Sequence, residues 1–193
     1  AALIPPEVIC GNKVPTISFP NDPSDDRLFL WLAIVNSLPF DWLLRRIVTT
    51  TVNYFVLLSL RLPNLDISSL PAQRLIGLAR KLHELDQSKN SSFENVWRIA
   101  ELRCEADVLV ARAYGCSEDD LRLMLQDFPL LDRCQPAIQG ETSCTVTEDV
   151  LLSTWRRNAE KGSELSAERV ERARKLGAIP YVSSEFVSSI QEK

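Results

Sequence analysis

The sequence has few of the residues from which nucleotide sites and catalytic triads are built. Among 193 residues there are six glycines and one histidine. No glycine-rich turn joins a strand-like stretch to a helix-like one, and such a turn is what lets backbone N–H groups approach a phosphate closely. We therefore expect no cofactor to bind within this chain.

The single histidine, His83, is a weak candidate for a general base. It lies off the apolar face of its helix, among Arg80, Lys81 and Glu84, so a solvated surface position is expected. A freestanding hydrolase needs a nucleophile, a base and an orienting acid. One histidine does not provide that set, so this class is disfavoured.

The cysteines do not form a ligand pattern. They are widely separated, with no Cys-x-x-Cys pair, and a single histidine could assist them, so no metal site is expected. Scattered unpaired thiols are typical of a reducing compartment, which indicates a cytoplasmic protein. The five are Cys10, Cys104, Cys116, Cys134 and Cys144.

No long hydrophobic run is present. The most apolar stretch, residues 28–40, is broken by Asn36, Ser37 and Pro39 and is shorter than the roughly 20 apolar residues that span a bilayer. No membrane partner is expected. The chain opens with Ala1-Ala2 in place of an initiator methionine or a signal peptide, so we expect it to be part of a longer protein.

The charge is unevenly distributed. The net charge is −4, but residues 117–150 carry eight acids against Arg122 and Arg133. Residues 1–65 carry five acids and five bases and are neutral overall. A phosphate-binding face is therefore compatible with the amino-terminal third and not with the acidic segment.

The patterning predicts a mainly α protein with a small N-terminal β portion, an α+β class with a helical C-terminal half. Residues 3–19 alternate short apolar pairs with prolines and a Gly11-Asn12 turn, as strands joined by a tight turn do. Helix signals begin at Ser24 and continue to the end, so we predict one domain over 1–65 and a helical region over 66–193. Helices are predicted at about 24–35, 40–46, 53–60, 71–85, 92–114, 117–125, 147–158 and 166–177.

Catalytic residues are not expected here. An amino-methyltransferase holds its flipped base with an Asn/Asp-Pro-Pro-aromatic turn, whereas Pro5-Pro6 is preceded by Ile4 and followed by Glu7. Glu101, Glu105 and Asp107 alternate with arginines along one long helix, so they are interpreted as an ordinary salt-bridged helix surface.

Three segments, in order, carry a family resemblance. Residues 32–46 contain Asn-Ser, then Phe-Asp, then Arg-Arg; residues 48–63 contain Thr, Asn-Tyr-Phe and a final Leu-Pro; residues 106–129 contain Ala-Asp, Tyr-Gly, a run of acids and Asp-Phe-Pro. The stretch from Ala1 to Pro15 is also similar to what precedes these motifs. The chain resembles the carboxy-terminal region of large adenine-specific DNA methyltransferases of restriction-modification and phage-defence systems, over roughly residues 1–160. It departs from them in having three threonines, 49–51, where a glycine-containing turn is common.

The resemblance implies a non-catalytic fragment that contributes to DNA target recognition. S-adenosylmethionine and the catalytic core would belong to an upstream methyltransferase domain of the same parent, which would be a partner together with double-stranded DNA. Strands, loops and basic side chains of the first segment would then contact the major groove and the phosphates. The candidate DNA-binding residues are Asn12, Lys13, Arg45, Arg46, Thr49, Thr50, Thr51 and Asn53.

Plainer interpretations stay open for these residues. Asn53 is equally suited to cap a helix, Arg45 to pair with Asp41, and Asn36-Ser37 to cap the helix near Pro39. The aromatic residues Trp31, Trp42, Tyr54 and Phe55 are expected in the core and not as base-stacking platforms. The rival function is a helical protein–protein interaction module without DNA contact, favoured by the helices of 71–175 and the acidic segment.

Overall fold

The mainly helical class is confirmed. The computed structural model describes residues 1–4, 8, 10, 16–49, 51–88, 90–157 and 163–182, and these form eight helices and no strand. The helices are α1 (Asp26–Val35), α2 (Leu38–Ile47), α3 (Tyr54–Ser59), α4 (Leu70–Gln87), α5 (Phe93–Ala113), α6 (Glu118–Gln126), α7 (Val146–Arg156) and α8 (Ser163–Lys175).

The predicted N-terminal strands are not present in the described part of this region. Residues 1–4 and 16–19 belong to no helix or strand, and the Gly11-Asn12 turn lies outside the described residues. The tyrosine hydroxyl of Tyr54 binds both backbone groups of Thr16, at 2.8 Å from its nitrogen and 3.0 Å from its oxygen. A side chain therefore satisfies the Thr16 backbone groups that a neighbouring strand would otherwise bind.

The first helices begin where the sequence predicted, with one change in the capping atoms. Asp25 adopts a left-handed φ of 57° and makes no side-chain cap; instead Ser24 Oγ accepts from Asp26 N at 3.3 Å and Asp22 accepts from Arg27 N at 2.6 Å. The predicted cap at Ser37 is confirmed, because its hydroxyl accepts from Phe40 N at 3.4 Å. α1 and α2 are thus separate helices joined at Asn36 and Ser37.

Serine caps also begin the later helices. Ser69 and Ser92 accept from the backbone nitrogens three residues on, in α4 and α5. The capping box predicted at Ser117 is confirmed: its hydroxyl accepts from Asp120 N at 3.2 Å, and the Asp120 carboxylate accepts from Ser117 N at 2.7 Å. The capping box needs no tertiary contact, which is why the sequence located it correctly. The cap at Ser69 was not predicted, because the helix was expected to begin at about residue 71.

Two apolar clusters lie on opposite sides of α5. One contains Leu102, Ala106 and Val110 of α5 with residues of α1, α2 and α4. The other contains Trp97, Cys104 and Val108 with residues of α7, α8 and the segment 178–182. Helices from both sides of the predicted boundary at residues 65–66 share the first cluster, so α1 and α2 pack within the helical body.

The interpretation of Asp107 as helix surface is wrong. Asp107 is buried on α5, and its carboxylate accepts from Leu38 N at 2.8 Å and from the hydroxyl of Tyr181. Helical spacing alone placed it with Glu101 and Glu105, which are partly exposed. Only packing on both sides of α5 buries that third position.

The described residues contain no single helix that is long and apolar enough to cross a membrane. Only α1 and α2 taken together have that length and apolar composition, and this pair is bent by 65° at the break between the two helices.

Candidate functional site

The predicted DNA-binding residues that the structure describes lie together around the end of α2. Arg45, Arg46, Thr49, Thr51 and Asn53 are all exposed there, between the last turn of α2 and the first turn of α3. The structure therefore brings five of the eight predicted DNA-binding residues to one part of the surface. The remaining three, Asn12, Lys13 and Thr50, lie outside the described residues.

Asn53 is the N-cap of α3. Its backbone is extended, with φ −125° and ψ 174°, and its Oδ1 accepts from Val56 N at 3.0 Å. The alternative interpretation as a helix cap is confirmed. The side-chain oxygen is therefore engaged locally, and only its amide nitrogen is free of this contact.

Arg45 is held on one edge and on one face. Its Nε lies 3.1 Å from Asp41 Oδ2, one helical turn earlier, which confirms the ion pair considered from the sequence. Its guanidinium carbon also lies 4.7 Å from the centroid of the Phe128 ring. Because the side chain is still 60% exposed, these contacts orient the guanidinium without burying it.

Arg46 is held in the same manner by different residues. Its Nη2 pairs with Asp127 Oδ2, and its guanidinium carbon lies 4.5 Å from the centroid of the Trp42 ring. The indole Nε1 of Trp42 donates to the same Asp127 oxygen at 2.7 Å. One carboxylate oxygen thus joins an arginine and a tryptophan of α2 to the residue that follows α6. The Arg46 side chain remains 55% exposed.

These contacts form an arginine–aromatic cluster of six residues at the end of α2. Each guanidinium stacks on one aromatic ring and donates to one carboxylate. The cluster consists of Asp41, Trp42, Arg45, Arg46, Asp127 and Phe128.

The expectation that the aromatic residues of this region lie in the core is wrong for two of them. Tyr54 is exposed and Phe55 is 87% exposed. Trp31 and Trp42 are half-buried, with Trp42 packed beside Ala111, Leu121 and Met124. The apolar neighbours of Phe55 in the sequence suggested burial, but only Leu57 and Leu60 face the apolar cluster beneath α3.

α3 consequently presents an apolar surface. None of its residues is buried, and Leu58 is 77% exposed beside Phe55 in the same helix. Ile47 before α3 and Leu62 after it are exposed large hydrophobic residues as well. A cluster of this kind is typical of surfaces that contact another protein.

A cavity of about 420 Å³ lies between α1, α4 and α5. Its lining includes Asn36, His83, Arg103 and Asp107 together with apolar side chains. Burial raises the pKa of Asp107 to about 6, against hydrogen bonds from Tyr181 and Leu38 that lower it. Both carboxylate oxygens already accept a hydrogen bond, from Leu38 N and from the Tyr181 hydroxyl. Asp107 therefore joins α2 to the segment after α8, which is a structural role.

His83 is less exposed than its polar sequence neighbours suggested. It is half-buried, with its ring centroid 6.2 Å from that of Phe29. Within the described ranges, no group of three or more histidine, cysteine or acidic side chains has the arrangement needed to hold a metal ion.

No family model, curated protein or solved structure matches this chain. The exposed features of the described residues that bear on function are the arginine–aromatic cluster and the apolar surface of α3.

The sequence alone missed the contribution of Asp127 and Phe128. These residues were noted as part of the third segment, but nothing in their spacing connected them with Arg45 and Arg46, about 80 positions earlier. The sequence did show that both residues follow directly after a predicted helix. At such a position a loop can bring an exposed acid and a ring to a neighbouring helix.

Proposed function

We propose that this chain is the carboxy-terminal part of an adenine-specific DNA methyltransferase and that the end of α2 contributes to recognition of duplex DNA. The methyl donor, S-adenosylmethionine, and the catalytic residues belong to the upstream domain of the parent. This chain supplies no catalytic residue of its own. Residues 1–65 belong to the recognition region, and the helices of residues 66–193 support them.

The observation that carries the proposal is the pair of exposed, oriented guanidiniums at Arg45 and Arg46. Arginine presents planar donors that match the oxygens of a phosphate. Exposed hydroxyls at Thr49 and Thr51 lie next in the chain, and hydroxyl side chains also donate to phosphate oxygens in protein–DNA contacts. The three collinear sequence segments support the same assignment.

The acidic carboxylates beside the arginines do not remove this capacity. An exposed ion pair contributes roughly 0–1 kcal/mol, so a phosphate can compete for donors that face water. The acidic segment 117–150 includes Asp127 of the cluster, and its charge lowers the affinity for a phosphate by repulsion. Salt weakens the binding through the arginines, because their contacts with phosphates release counterions. We therefore expect moderate, salt-dependent affinity in this chain.

The test is duplex binding measured by fluorescence anisotropy at low and moderate salt. The Arg45→Ala, Arg46→Ala double variant should weaken binding and reduce the dependence on salt by about two phosphate contacts. A double variant of Arg133→Ala with Arg157→Ala removes the same charge from exposed positions elsewhere and should have a smaller effect. Equal losses in the two variants would assign the binding to overall charge and contradict a site at α2.

A second candidate function is supported by the apolar surface of α3. Phe55 and Leu58, the two most exposed large hydrophobic side chains of that helix, present an area that water solvates poorly. We propose the upstream domain of the same parent as its partner. The measurement is co-purification of a separately produced upstream domain with this chain and with a Phe55→Ser, Leu58→Ser variant.

For that variant the expected result is loss of co-purification with an unchanged melting temperature, because neither side chain is buried in this chain. Co-purification that persists would contradict α3 as the contact. The two candidate functions are compatible, since Arg45 and Phe55 belong to successive helices.

A further inference from the structure

Asp127 contacts Arg46 and Phe128 contacts Arg45, although both residues lie outside α2. We propose that Asp127 and Phe128 position the guanidiniums of Arg46 and Arg45 to bind a backbone phosphate of duplex DNA. The inference rests on the proposed function and assigns a role in it to the helical half of the chain.

The argument begins with the donors that remain available. A guanidinium has five N–H donors. Arg45 uses Nε for Asp41 and Arg46 uses Nη2 for Asp127. Their other guanidinium nitrogens donate to no residue that the structure describes. Each arginine therefore keeps donors on at least one edge of its fork, and both side chains are more than half exposed.

The second step concerns orientation. A guanidinium that stacks on an aromatic ring directs its N–H groups outward, because these groups lie in its own plane. Asp127 fixes Arg46 further, because the same carboxylate oxygen also accepts from Trp42 Nε1 at 2.7 Å. That oxygen ties the arginine to the ring on which it stacks. Phe128 provides the equivalent face for Arg45 at 4.7 Å.

The third step is energetic. A long flexible side chain loses rotamer freedom when it binds a ligand, and a side chain that is already restrained loses less. Asp127 also carries a negative charge, which repels a phosphate. Positioning and repulsion have opposite signs, so removal of the Asp127 side chain distinguishes them.

The experiment measures duplex affinity of the full chain at low salt for Asp127→Ala and Asp127→Asn. Asp127→Ala should weaken binding by about three- to tenfold, the range for ordering one long side chain, although it removes a negative charge. Asp127→Asn retains a side-chain oxygen that accepts from Arg46 and Trp42, and it should bind within about twofold of the wild type or more tightly. Asp119→Ala removes one exposed acid from α6 without touching either arginine and should strengthen binding slightly.

A double-mutant cycle separates positioning from a general loss of structure. In an Arg46→Ala background, Asp127→Ala should cause no further weakening, because the side chain that it positions is gone. An undiminished loss in that background would overturn the proposal, as would an increase in affinity for Asp127→Ala like that of Asp119→Ala.

Failure of the proposed function has a separate signature. If the wild-type chain binds no duplex at low salt, the DNA assignment fails, and the positioning role is then decided by the order parameter of the Arg46 Nε–H group in NMR relaxation. The contact predicts an ordered Nε–H group in the wild type and a mobile one in Asp127→Ala. Equal mobility in both would overturn it.

Discussion

The carboxylate of Asp107 accepts a hydrogen bond from the backbone nitrogen of Leu38 at 2.8 Å, across 69 residues of chain. Leu38 is the first residue of α2, where backbone N–H groups lack helical partners. Asp107 therefore anchors the start of the helix whose other end carries the arginine–aromatic cluster. The hydroxyl of Tyr181 donates to the second carboxylate oxygen, so the same side chain also holds the segment after α8.

The first prediction concerns the pH dependence that Asp107 gives to stability. Burial raises its pKa in the folded protein to about 6, above the value of about 3.9 in an unfolded chain. The folded state then binds the proton more tightly. Its contribution is complete below about pH 4 and is lost as pH rises through about 6.

The measurement is chemical denaturation of the wild type and of Asp107→Asn at intervals from pH 4 to pH 7. The free energy of unfolding of the wild type, relative to this variant, should fall by up to about 3 kcal/mol as pH rises. Asp119→Asn, at an exposed position, serves as the control. The difference in free energy of unfolding between the wild type and Asp119→Asn should stay constant over this pH range. A constant difference between wild type and Asp107→Asn would contradict the raised pKa.

The second prediction separates capping from base contact at Asn53. Asn53→Ala should lower the free energy of unfolding by about 1 kcal/mol, because Val56 N loses its acceptor. Asn53→Ser preserves a capping oxygen but lacks the amide, and it should restore most of that stability. If Asn53→Ser also binds duplex as the wild type does, Asn53 acts only as a cap; a selective loss of DNA affinity would show that the amide contacts DNA.

The third prediction concerns Gln135, whose side chain binds backbone groups of the segment after α8, as a neighbouring strand would. Its Oε1 accepts from Ile179 N at 2.6 Å, and its Nε2 donates to Ile179 O at 2.8 Å and Val182 O at 2.6 Å. Gln135→Ala removes the partner of the buried Ile179 backbone groups and of the partly buried Val182 carbonyl, at a cost of about 1–3 kcal/mol for each buried group left unsatisfied.

Hydrogen exchange provides the direct readout for Gln135→Ala. The amide of Ile179 should lose protection more than amides in the middle of α5. Gln126→Ala, at an exposed position on α6, should leave both exchange and stability nearly unchanged. Unaltered protection at Ile179 in Gln135→Ala would show that burial alone holds the segment.

The fourth prediction uses the thiols as probes of unfolding. Cys104 is fully buried, and burial raises its thiol pKa well above the usual range, so the reactive thiolate is scarce in the folded protein. Cys134 is exposed. An alkylating reagent should modify Cys134 rapidly and Cys104 only at the rate at which the core opens, as followed by mass spectrometry. Rapid labelling of Cys104 in the folded protein would contradict its burial in the second cluster around α5.

Short-range chemistry explains what the sequence determined. Ser37, Asn53 and the Ser117-Asp120 capping box act on backbone nitrogens three residues away, so their residue types were sufficient to place helix starts. The Arg45–Asp41 pair follows from one turn of helix. The apolar periodicity of α5 likewise predicted a long helix with a buried stripe.

Contacts between distant elements were decided only by the tertiary structure. Helical spacing made Asp107 equivalent to its neighbours on α5, and apolar composition made Phe55 look like a core residue. Which of them is buried depends on how many elements pack around each helix: α5 is covered on two sides, whereas α3 is covered on one. The contacts of Asp127 with Trp42 and Arg46 likewise require a loop from the acidic segment to reach the end of α2. Local propensity holds no information about that approach, because it is fixed by the packing of α5, α6 and α2 together.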